Sequence, residues 1–121
     1  MVDDGWIVPE AAAVSGLGTR GARAPDLRLT CAAGPYDVDL LVHERPDPGR
    51  VEMTGQVLRL DGGHDPVCGL RLDVVEAGAP GVVTAAETDR FGEFDLRLPC
   101  EGRFGLRLGR APEAPCVLIR S

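Results

Sequence analysis

A chain of 121 residues with 44% hydrophobic content is one domain, long enough for a real core and too short for two. Its net charge of −6 repels phosphate backbones and excludes generic nucleic-acid binding, and no apolar run reaches the roughly 18 residues that would cross a bilayer. Phe, Trp and Tyr supply 4% of the chain, so Leu and Val must fill the interior, while 16 Gly and 10 Pro imply many turns and short strands. All the basic residues are Arg, and Lys and Asn are both absent, which points to a high-GC bacterial genome.

Residues 1–25 are rich in Ala and Gly and carry the only Trp. The opening MVDDGWIVPE has neither a basic n-region nor a continuous apolar h-region. The expected location is therefore cytoplasmic, with Cys31, Cys68, Cys100 and Cys116 reduced. Pro9 could open a helical turn over Glu10–Val14, but Ser15, Gly16 and Gly18 stop it far below a stable length. The segment reads as a flexible tail, either plainly disordered or a tether whose Trp6, Ile7 and Val8 dock on another protein or back on the domain.

From residue 26 to 121 the pattern is all-β. Strands are expected near Leu27–Ala32, Tyr36–Glu44, Val51–Leu60, Gly69–Glu76, Val82–Thr88, Glu93–Leu98, Arg103–Leu108 and Cys116–Arg120, each bounded by Gly, Pro or Asp turns. This is an antiparallel Greek-key sandwich of about seven to eight strands. In Val51–Leu60, the phase Met53/Gly55/Val57 gives way to Leu58/Leu60, which suggests a bulge or two buried faces. Two runs alternate strictly: Phe94/Leu96/Leu98 against Asp95/Arg97, and Phe104/Leu106/Leu108 against Gly105/Arg107. Joined by Pro99-Cys100-Glu101-Gly102, they read as a β-hairpin with one dry face. In the turn before it, Asp89 should cap through its side chain, Gly92 should supply a conformation closed to residues with a β-carbon, and Phe91 and Phe94 should anchor in the core.

The same residues speak against chemistry. Ser15 and Ser121 are the only serines, so the domain body holds no serine nucleophile. The cysteines sit in or beside expected strands, read as small buried hydrophobes, and show no CxxC spacing for zinc. Asp61-Gly62-Gly63-His64-Asp65 lacks the acidic ladder of a calcium loop and reads as a solvated turn. His43 falls on the outward phase of its strand. No catalytic, metal or cofactor residue is assigned.

The succession Met53-Thr54-Gly55-Gln56-Val57, Gly69-Leu70-Arg71-Leu72, Thr88-Asp89-Arg90-Phe91-Gly92-Glu93-Phe94, then Leu98-Pro99 with Gly102-Arg103-Phe104, resembles the carboxypeptidase regulatory-like domain. That family is a transthyretin-like or immunoglobulin-like sandwich. The resemblance covers about residues 51–109 and makes Gly55, Asp89, Phe91, Gly92, Phe94, Pro99, Gly102 and Phe104 motif positions. It implies a non-enzymatic protein-interaction module, of a type that accompanies sigma-factor or signalling machinery in bacteria. Two enzyme families on similar sandwiches fail on residues. Transthyretin-like purine hydrolases need a C-terminal Tyr-Arg-Gly-Ser and an early His, and intradiol dioxygenases need two Tyr; this chain has one Tyr and no His before His43. The expectation is a non-catalytic module that binds another protein, with neither nucleic acid nor membrane as partner. The alternatives are an exported, disulfide-stabilised accessory domain and a small enzyme or metal-binding protein.

Overall fold

The computed structural model describes residues 5–13, 27–44, 50–99, 101–111 and 113–120. Among these residues nine strands make two antiparallel sheets: β1 (Glu10–Ala13), β2 (Leu27–Ala33), β3 (Tyr36–Glu44), β4 (Arg50–Arg59), β5 (Arg71–Glu76), β6 (Thr84–Glu87), β7 (Glu93–Pro99), β8 (Phe104–Leu108) and β9 (Cys116–Arg120). The first sheet has the order β1-β2-β3-β4-β7 and the second β6-β5-β8-β9. Every strand expected from the alternation forms. The ninth, β1, is a strand where a short helical turn was conceivable, and it pairs Glu10 with Thr30 through Ala13 with Leu27. Residues 1–4 and 14–25 of the expected tail lie outside the described residues, as do residue 26, Cys100 and the loop 45–49.

The inward positions follow the period of two. Val38, Leu40, Val42, Val51, Met53, Val57, Phe94, Leu96 and Leu98 from the first sheet meet Leu72, Val74, Phe104, Leu106, Leu108, Val117 and Ile119 from the second in one largely aliphatic layer. The expected bulge in β4 does not form. Its register with β3 runs unbroken from Tyr36↔Arg59 to Glu44↔Val51, which leaves Leu58 on the outer face opposite Asp37 and Leu60 exposed. The irregularity sits instead between Phe104 and Gly105, where β8 shifts register against β9.

The expected hairpin is also corrected. β7 pairs with β4, Phe94 opposite Gly55, whereas β8 pairs with β5 and β9. The two runs therefore belong to different sheets and face each other across the core. Period-two alternation reports which side of a strand is dry. A hairpin and an arch between two sheets satisfy it equally well.

Phe94 fits because Gly55 has no side chain. A β-carbon on Gly55 would lie 2.4 Å from Phe94 Cζ and 2.6 Å from Leu40 Cδ2, so the ring crosses the glycine between β3 and β7. We expect Gly55→Ala to destabilise by about 1–3 kcal/mol through overpacking. The penalty should shrink in a Phe94→Leu background, which a double-mutant cycle by denaturant titration reads directly.

Candidate functional site

The turn that carries the chain from β6 to β7 is built from Thr88-Asp89-Arg90-Phe91-Gly92. Thr88, buried, donates its hydroxyl to the Val67 carbonyl at 2.6 Å and accepts from the Leu70 amide at 2.9 Å. Asp89 Oδ1 accepts from the amides of Phe91 and Glu93, both at 2.9 Å, which is the side-chain cap expected of it. Gly92 takes φ +76°, with room for a β-carbon denied by the Val57 carbonyl at 2.4 Å. Phe91 departs from expectation. The turn points it outward, 54% exposed, with the Arg90 guanidinium 5.2 Å from its ring centroid and its carbonyl accepting from Gln56 Nε2 at 3.0 Å. Of the other motif positions, Phe94 and Phe104 are buried, Gly55 receives the Phe94 ring, Gly102 at φ +124° lies against the Phe104 ring, and Pro99 ends β7 exposed, opposite Arg50. These residues build the scaffold.

Trp6, Ile7 and Val8 lead to a different surface. The Ile7 amide donates to the Cys116 carbonyl and its carbonyl accepts from the Leu118 amide, each at 2.8 Å, so the segment lies parallel along the free edge of β9. After Pro9 the chain changes sheets and becomes β1. One short strap thus closes the same side of both sheets: Ile7 packs on the core, while Val8 is 67% exposed.

Trp6 lies over Gly105 on the outer face of the second sheet. A β-carbon there would be 3.0 Å from both Cδ2 and Cε3 of the indole. Arg103, two residues earlier and just before β8, places its guanidinium 5.7 Å from the indole centroid. Arg107, two residues later, lines the same hollow with Val75 and Val82, a groove of about 300 Å³ beside the loop Ala77–Gly81. Arg107 is held by Asp73, a buried carboxylate that also binds Arg71; the contacts are 3.2 Å and 2.8 Å. Burial pushes the Asp73 carboxyl up, but hydrogen bonds and charge from Arg71 and Arg107 outweigh it and hold the group below its ordinary value.

Gly105, Arg103, Arg107, Asp73 and Val82 were not singled out from the sequence. One signal was present: Gly105 interrupts an otherwise regular strand, and glycine inside a strand marks a close approach. The cysteines divide. Cys31 is half-buried beside the core, and burial followed by the charge of Asp37 raises its thiol pKa. Cys116 is half-buried with its sulfur toward Gly105. Cys68 is exposed, contrary to the buried reading, because its loop runs outside the strand that begins at Arg71. Cys31 and Cys68 are free thiols.

Compared with known proteins, the sequence matches no family model and no curated protein, and no solved structure matches either.

The strap contributes to stability. We expect Trp6→Ala to cost about 2 kcal/mol, less than the ~3–5 kcal/mol of a fully buried aromatic, with the loss read by thermal unfolding. An unchanged melting temperature would place the indole off the sheet. The Asp73 carboxyl ionises at lower pH in the folded chain than in the unfolded one, so its contribution is present above the unfolded value and drains as pH falls through the folded one. Wild-type stability should therefore drop below about pH 4 more steeply than that of Asp73→Asn, measured by denaturant titration at several pH values.

Proposed function

We propose that the chain is a non-catalytic β-sandwich module that binds another protein through the outer face of its second sheet, beside Trp6. The observation that carries this reading is the Trp6–Gly105 seat, with Arg103 and Arg107 on either side and Val82 and Val83 exposed at 45% and 44%. Trp and Arg dominate the energetics of protein interfaces, particularly where they are held rigidly before binding. The strap fixes the indole in place, and the ion pair with Asp73 fixes Arg107. A partner that fits supplies an apolar side chain for the hollow beside Val75 and Val82 and an acceptor for the guanidinium groups. The resemblance to carboxypeptidase regulatory-like domains supports a role in a bacterial regulatory or signalling system, with sigma-factor-associated machinery as the setting.

A photo-crosslinking residue in place of Val82, compared with one in place of Asp61 in the β4–β5 loop, tests this in the native host. The expected result is a discrete protein adduct at position 82 alone. Excess wild-type chain should suppress it, whereas Val82→Asp should compete at least about tenfold less well. Equal adducts at both positions, or equal competition by the variant, would contradict the reading.

A further inference from the structure

The first sheet ends in β7, a strand of seven residues. The bond from the Val57 amide to the Gly92 carbonyl, together with the unbroken register, fixes which β7 residues turn their peptide groups toward β4: Gly92, Phe94, Leu96 and Leu98. Glu93, Asp95, Arg97 and Pro99 turn theirs the other way. Glu93 is already satisfied, because its amide donates to Asp89 Oδ1 and its carbonyl accepts from the Asp89 amide. Pro99 has no N–H. That leaves the N–H and C=O of Asp95 and of Arg97 along an open edge, with no partner strand among the described residues. Beyond the outward charges of Glu93, Asp95 and Arg97 and a proline at the last position, the edge has little to block pairing: it is long and regular and carries no inward charge.

We propose that this edge pairs with the β7 edge of a second copy of the chain, antiparallel about a two-fold axis at Leu96. In that register Asp95 lies opposite Arg97 of the second copy and exchanges both peptide hydrogen bonds with it, and the symmetric pair does the same. Four backbone bonds form, and two carboxylate–guanidinium pairs stand on the solvent face. The neighbouring registers are worse. Centring on Asp95 sets it against itself and requires the Glu93 peptide group already used by Asp89. Centring on Arg97 sets two guanidinium groups together and opposes Asp95 to a proline. Parallel pairing in register opposes like charges throughout. The occupant is thus specified by self-complementary charge, and the two five-stranded sheets join into one of ten strands with a closed, isologous interface. The Trp6 groove belongs to the other sheet, so this contact is independent of it.

Sedimentation equilibrium of the full chain from about 10 µM to about 1 mM tests the proposal, the range suited to a small edge-to-edge interface. Wild type should form dimers. Asp95→Arg and Arg97→Asp should each weaken self-association at least about tenfold. An equimolar mixture of the two should form a heterodimer, since every opposed pair is then of opposite sign. The double variant Asp95→Arg/Arg97→Asp should self-associate again. Asp95→Pro, which removes an edge-facing N–H and leaves the β4 ladder intact, gives a second disruption should Arg97→Asp fold poorly beside Glu52, its 3.3 Å partner. A monomer throughout the range, a dimer indifferent to these changes, or no rescue on mixing would overturn it.

Discussion

The crossing at Thr88–Gly92 is the constraint on which the rest of the structure depends. β6 is the outer strand of one sheet and β7 the outer strand of the other, so the chain must pass between layers within a few residues. Buried polar groups have to be satisfied wherever this happens. The Thr88 hydroxyl meets two backbone groups of the segment 67–70, Asp89 holds two amides, and Gly92 accepts the conformation and the proximity of the Val57 carbonyl that a side chain would forbid. With that passage fixed, β7 must lie beside β4 and Phe94 must fall over Gly55. The Phe104 strand then closes the opposite wall.

The strap at the other side of the sandwich does a related job with different means. Two hydrogen bonds from Ile7 satisfy part of the β9 edge, and β1 covers the edge of β2. The crossing from one sheet to the other occurs at Pro9, which has no amide hydrogen to lose. Because Ile7 is fastened to β9, Trp6 must project over β8, where Gly105 is the one outward position that can receive an indole face. An edge-protecting segment thereby becomes part of a preformed surface.

Much of the fold was legible in the sequence, because burial follows the period of two and turn residues bound the strands. The Asp89 cap and the need for glycine at Gly92 were legible too, since both are local. Pairing was not. The runs 94–98 and 104–108 alternate identically whether they are neighbours in a sheet or opposed across a core, and five residues between them suit either. Phe91 was misread because hydrophobicity says nothing of the direction in which a capped turn aims its third residue. The surface around Trp6 was half visible: the Trp was conspicuous, but its seat at Gly105 and the Asp73–Arg107 pair arise from strands distant in sequence.

Backbone nuclear Overhauser effects in the labelled protein test the account most directly, because the crossing and the opposed sheets stand or fall together. Contacts should run between Gly55 and Phe94 and between Val75 and Gly105, with none between the backbones of Leu96 and Leu106. Strong backbone contacts between Leu96 and Leu106 would restore the hairpin and contradict the crossing at Thr88–Gly92.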